Sequence, residues 1–179
     1  EELRVFGIHE ELDNKITHYL KAEKVDDLFE LVLERLEQDY DRDRPGLVRD
    51  SMSLIWASRR GLSEKELLEL TGVPPAFWSP LYLAIEASLV SRSGLLNFFH
   101  DFLRKAVEDK YLYDRELKRD SHLRLADYFE KRELDERKVD ELPWQFHQAE
   151  DCERLKDCIT DMDMFLRLQT DVKEYELMG

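Results

Sequence analysis

LVSRSGLLNFFHDFLRKAV (residues 89–107) changes its pattern twice within one short run. Two apolar stretches, Leu89-Val90 and Leu95–Phe99, flank Ser91-Arg92-Ser93-Gly94, and Gly94 suits a tight turn. That is the signal of a β-hairpin, with residues 89–91 pairing against 95–98. From His100 the apolar spacing becomes that of a helix running to Leu112. An ionisable pair, His100-Asp101, therefore sits where a strand hands over to a helix. In plain structural terms Asp101 favours the helix N-terminus, where free N–H groups and the positive end of the dipole lie, and His100 is a boundary residue.

Reading back from the hairpin, PPAFWSPLYLAIEASL (74–89) predicts a helix with prolines at its entrance and Pro80 inside it. Its central part, 76–88, is apolar on nearly all sides, which predicts a buried element. LSEKELLELTGV (62–73) predicts a short helix, with Ser63 and Glu66 as a capping box and Gly72 as its stop. DRPGLVRDSMSLIWASRRGLS (43–63) predicts another, with Pro45 near its start, Gly61 after its end and an inner face of Leu47, Val48, Met52, Ile55 and Trp56. Three helices, a hairpin and a further helix, in that order, describe a winged helix domain. Its expected core is Leu54, Ile55, Trp56, Leu67, Leu70, Leu83, Leu89, Phe98 and Leu103. Trp78 and Trp144 also sit in apolar stripes and are expected in cores.

The flanks read as helical. VDDLFELVLERLEQDYDRD (25–43) carries Leu28, Leu31, Val32, Leu36 and Tyr40 at helical spacing, and IHEELDNKITHYLKAEKV (8–25) carries Leu12, Ile16, Tyr19 and Leu20. After residue 114, ELKRDSHLRLADYFEKR (116–132) and VDELPWQFHQAEDCERLKDCITDMDMFLRL (139–168) predict a series of amphipathic helices resembling the first units of a helical-repeat array, without a clean repeat period.

Bulk numbers agree with a mostly α chain. Among 179 residues, 42% are hydrophobic and 38% charged, and only 6 Gly and 5 Pro are available for loops. The net charge of −14 opposes a general affinity for nucleic acid or anionic membrane. A DNA-reading helix at 76–88 would carry Lys or Arg for phosphates and base edges, and it has none. Cys152 and Cys158 are too far apart in register for a shared helix face and have no His at ligand spacing, which argues against zinc. They fit a reducing, cytoplasmic setting. The acidic pairs Asp26-Asp27, Asp41 with Asp43, and Asp161 with Asp163 read as caps and solvated faces. No phosphate-binding loop, dinucleotide fingerprint, nucleophile elbow or HExxH motif occurs, so no catalytic residue is expected. The chain opens on Glu1 rather than Met, which we read as a segment of a longer protein.

Several stretches together resemble a known family. YLKAEKVDDLFELVLERLEQDY, LVRDSMSLIWASRRGLSEKELLELTGV, FWSPLYLAIEASLVSRSGLLNFFHDFLRKAVEDKYL and LADYF followed by DELPWQFHQAEDCERL resemble the region after the ATPase core in the nephrocystin-like branch of NACHT-group STAND NTPases. The resemblance implies residues 1–44 as helices following that core, 45–113 as the winged helix domain and 114–179 as the adaptor leading to a repeat region. It implies a non-catalytic regulatory arm that couples nucleotide state to opening and assembly. ADP or ATP with magnesium would be bound by the parent protein, not by this segment alone. Phe99-His100-Asp101 resembles the family's Met-His-Asp motif, with Phe99 in place of the methionine. His100 would then contact an ADP phosphate when the core is present, and Asp101 would orient the segment. The implied partners are the parent's own NACHT core and proteins bound through the downstream repeats. A constitutive helical adaptor with no nucleotide role is the alternative, and a winged helix DNA binder is the third.

Overall fold

A computed structural model describes residues 25–177, and the expectations for residues 1–24 lie outside it. The described chain forms two compact units, one of residues 25–56 and 60–113, the other of 57–59 and 114–177.

The first unit begins with α1 (Val25–Tyr40), whose Val32, Leu33 and Leu36 are buried. Asp41 follows and its carboxylate accepts from Gly46 N and Val48 N at 3.2 and 3.0 Å, satisfying open donors at the start of α2 (Leu47–Ala57). Leu47, Val48, Met52, Leu54 and Ile55 of α2 are buried. A two-residue strand, β1 (Leu62–Ser63), precedes α3 (Glu64–Thr71). The capping box is complete: Ser63 Oγ accepts from Glu66 N at 3.2 Å, and the Glu66 carboxylate accepts from Ser63 N at 2.8 Å. Gly72 ends α3 at φ 63°.

Then come α4 (Pro75–Ile85), a 3-10 turn (Glu86–Ser88), β2 (Leu89–Arg92), β3 (Leu95–Phe98) and α5 (Asp101–Tyr111). The sheet is antiparallel in the order β1-β3-β2, with Leu89 opposite Phe98 and Arg92 opposite Leu95. The loop between β2 and β3 is Ser93-Gly94, both at positive φ (53° and 80°), the geometry of a two-residue hairpin turn. β1 was not expected, because two residues carry no alternation to read. Gly61 makes it possible: a Cβ there would stand 2.4 Å from Leu96 O of β3. α5 buries Leu103, Ala106, Val107 and Tyr111. It packs on α1, where Phe102 stacks on Phe29 (6.5 Å between centroids) and the Tyr111 hydroxyl donates to Glu37 at 2.7 Å. Burial and that carboxylate push the Tyr111 pKa upward, so the phenol stays protonated.

Four expectations are corrected. Leu83 is not in the core but 64% exposed, and the stretch 76–88 is not buried on all sides. Only Trp78, Leu81 and Ile85 of α4 turn inward, one helical stripe. Trp56 is half-buried rather than central, with the Arg104 guanidinium 5.5 Å from its ring and bonded to its carbonyl at 3.1 Å. Trp144 is exposed. A helix can be apolar all round and still use only one face.

The second unit is four helices, α6 (Arg115–Glu130), α7 (Glu136–Gln148), α8 (Cys152–Thr160) and α9 (Met162–Leu177). Each of α6, α7 and α8 starts on an aspartate, Asp114, Asp135 and Asp151, whose carboxylate accepts a first-turn N–H, and Asp161 does the same for Met164 N. Part of the acidic excess is thus used in caps. α6 and α7 run antiparallel, since contacts pair Arg115 with Glu150, Arg119 with Ala149, His122 with Gln145 and Glu130 with Lys138. Leu125, Phe129, Val139, Leu142 and Phe146 fill the space between them.

Candidate functional site

The junction of β3 and α5 places the His100-Asp101 pair. His100 is the N-cap of α5 in extended backbone (φ −120°, ψ 136°), its carbonyl accepts Arg104 N at 3.4 Å, and its side chain makes no capping bond. Phe99 N donates to Ser88 O at 3.0 Å, which ties the junction back to the residue before β2. The His100 ring is exposed and meets the Phe99 ring edge-on at 4.4 Å. Asp101 is exposed in the first helical turn, where its charge complements the helix dipole. Chemically the site offers an imidazole and the open amides of one helix start.

A second feature was not anticipated. Along α4, Ala76, Phe77, Pro80 and Leu83 are exposed, with Phe77 at 38% and Leu83 at 64%. Ala76, Pro80 and Leu83 lie at helical spacing on the side opposite Trp78, Leu81 and Ile85, with Phe77 at its flank. No Asp, Glu, Lys, Arg or His lies between Pro75 and Ile85, so the face is uncharged within a chain that is 38% charged. The absence of charge was visible in the sequence. Its exposure was not, because periodicity cannot tell an apolar face that meets the core from one that meets water.

The second unit holds a buried polar chain. Gln145 Nε2 donates to Glu141 at 2.8 Å and to Ala57 O at 3.1 Å, and Gln145 Oε1 faces His122 Nδ1 at 2.8 Å. With both amide hydrogens committed, Oε1 must accept, so His122 carries its proton on Nδ1. Glu141, fully buried, also accepts from Arg59 N at 3.1 Å and Arg137 at 3.2 Å. Each of these groups is satisfied by a neighbour, which marks the chain as structural. A cavity of about 400 Å³ lies among Leu134, Leu142, Phe146, Arg154, Cys158 and Met164. Its cations are engaged locally: Arg154 bonds Asp127 and Glu130, and Lys138 bonds the carbonyls of Glu130 and Arg132. Burial pushes the Cys158 thiol up to about 11, so it is a poor nucleophile at neutral pH. Cys152 and Cys158 are not disulfide-bonded. Among the described residues no helix is long and apolar enough to cross a membrane, and no group of three His, Cys, Asp or Glu is placed to hold a metal.

No family model and no solved structure matches the chain. Curated proteins do. The chain is 36% identical, over its whole length, to a TPR repeat-containing protein of Dictyostelium discoideum, of which it covers 11%. It is 28% identical over 84% of its length to nephrocystin-3 of Homo sapiens, covering 12% of that protein, and 28% identical over 82% to tetratricopeptide repeat protein 41 of Mus musculus, covering 14%. The chain therefore spans a small part of much longer relatives, two of which are named for tetratricopeptide repeats. A mostly helical chain fits a helical-repeat family.

Proposed function

We propose that this segment is a helical protein–protein interaction adaptor within a larger repeat protein. The observation that carries the reading is the uncharged exposed face of α4, since contiguous apolar surface on a charged chain marks a contact with another protein. Similarity to proteins named for tetratricopeptide repeats supports it, as does the antiparallel α6–α7 pair. The segment works without catalysis, and its partners are proteins rather than nucleic acid or membrane. Hydroxyl-radical footprinting of the full-length protein tests this. Phe77 and Leu83 should label in the isolated protein and be protected in its native assembly; equal labelling in both states contradicts the reading.

A finer reading is supported by one specific observation. The element order α2-β1-α3-α4-β2-β3 and the sheet order β1-β3-β2 support a winged helix reading, and His100 stands exposed at the mouth of the following helix. On this reading the segment is the regulatory arm of a STAND ATPase, and His100 donates a ring N–H to an ADP phosphate bound by a NACHT core elsewhere in the parent. One hydrogen bond to a charged group is worth about 1.5–3 kcal/mol, so His100→Ala in the full-length protein should weaken ADP binding about 10- to 100-fold. Unchanged ADP affinity with an unchanged melting temperature would leave the adaptor reading alone standing.

A further inference from the structure

The cavity of the second unit has an apolar floor and an acidic rim. Lys138, Leu142 and Phe146 lie on one stripe of α7, and Arg154, Cys158 and Asp161 follow at helical spacing along α8 into its C-cap. The two stripes face each other, with the Arg154 guanidinium 4.6 Å from the centre of the Phe146 ring. Leu142, Phe146 and Met164 are buried in the floor, and Leu134 and Cys158 are half-buried beside them. The space, about 400 Å³, stands at the small end of ligand pockets, which run from about 300 to 1,000 Å³. Four carboxylates line it, Glu130, Asp157, Asp161 and Asp163, against two cations, Lys138 and Arg154. Both cations are held in place. Arg154 bonds Asp127 and Glu130 at 2.7 and 2.6 Å, and Lys138 donates to Glu130 O and Arg132 O, each at 2.7 Å. Asp161 uses one oxygen on Met164 N. Asp157 and Asp163 are exposed at the rim, and among the described residues their carboxylates have no hydrogen-bond or ion-pair partner.

We infer that this cavity is a docking site for a basic segment of a partner protein, which seats an apolar side chain such as Leu or Phe between α7 and α8 and sets Lys or Arg against Asp157 and Asp163. The floor supplies the anchor, since an apolar side chain that fills the hollow leaves water for contact with Leu142, Phe146 and Met164. The rim decides the sign of the partner. Two unpaired carboxylates, on a chain of net charge −14, attract a cationic segment and repel an acidic one. Nucleic acid is disfavoured by the same field. The site belongs to the second unit and shares no residue with the α4 face, so either can fail without the other.

The test is fluorescence anisotropy of the full chain with a labelled peptide that carries a Phe-Leu pair between Lys and Arg residues in a Gly-Ser background. One companion has Glu at every basic position, and another has Ser-Ser for the Phe-Leu pair. Saturable binding of the basic peptide is expected, weaker at higher salt. The Ser-Ser version should bind at least about tenfold more weakly, and the Glu version should not saturate. Asp157→Lys and Asp163→Lys should each weaken binding about two- to tenfold, because an attraction becomes a repulsion. Asp120→Lys makes the same change of charge on α6, outside the cavity lining, and should alter binding by less than about twofold. In a Cys152→Ser background, bound peptide should slow alkylation of Cys158, which lines the cavity. Circular dichroism melting keeps folding separate from binding, and Asp157→Asn and Asp163→Asn, which remove the charge alone, stand in for any reversal that melts early. No saturable binding, equal binding of the Glu or Ser-Ser version, an equal loss from Asp120→Lys, or unchanged alkylation of Cys158 with peptide bound overturns the proposal.

Discussion

Ser51 sits on the buried face of α2 with no exposed surface, and its hydroxyl has no hydrogen-bond partner among the described residues. A buried hydroxyl without a partner costs free energy, and Ala is the better helix former. Ser51→Ala should therefore stabilise the first unit by about 1 kcal/mol, read as a higher urea midpoint; a lower midpoint would show that the hydroxyl is satisfied in solution. Sequence alone does not reveal this, since a serine inside an apolar stripe reads the same whether bonded or not. His100 shows the reverse. Its place at a strand-to-helix junction was legible because the period of the apolar residues changes there, and it is the N-cap of α5 with Asp101 in the first turn. What its ring does is a property of whatever lies opposite, and no pattern within the chain encodes that.

At the scale of elements, local signals are legible in the sequence and tertiary choices are not. The capping box of α3, the stop at Gly72, the prolines opening α4 and the hairpin register all follow from residues a few positions apart, and all are present. β1 escaped notice because its existence depends on Gly61 approaching β3, a contact distant in sequence. The orientation of α4 escaped for the same reason: Trp78 turns inward and Leu83 outward, though both are large and apolar. The α6–α7 pair rests on another unreadable feature, the bonds of Gln145 to His122, Glu141 and Ala57 O. Gln145→Leu would leave those buried groups short of a partner, each costing about 1–3 kcal/mol. A loss of about 2–4 kcal/mol in urea unfolding of the second unit is expected, given the usual partial relaxation. A loss below about 0.5 kcal/mol would mean that water replaces the amide there, and that the network does not hold the pair.

For the whole molecule, composition was enough to foresee a mostly helical chain, and the acidic excess proved in part to be a set of helix caps at Asp114, Asp135, Asp151 and Asp161. Function is less local. The exposed face of α4 is uncharged in a chain that is 38% charged, and the adaptor reading stands on it. Replacing Phe77 and Leu83 together by Asp in the full-length protein puts two charges on that face while leaving Trp78, Leu81 and Ile85 in the core. Because both positions are exposed, the melting temperature should hold. The decisive measurement is the amount of partner protein recovered with the full-length double variant relative to the parent, by quantitative mass spectrometry, with melting followed in parallel. The account predicts an unchanged melt and a loss of at least about tenfold in one or a few parent-bound proteins, since burying a charge in an apolar contact is strongly unfavourable. An unchanged melt with an unchanged set of bound proteins would contradict it.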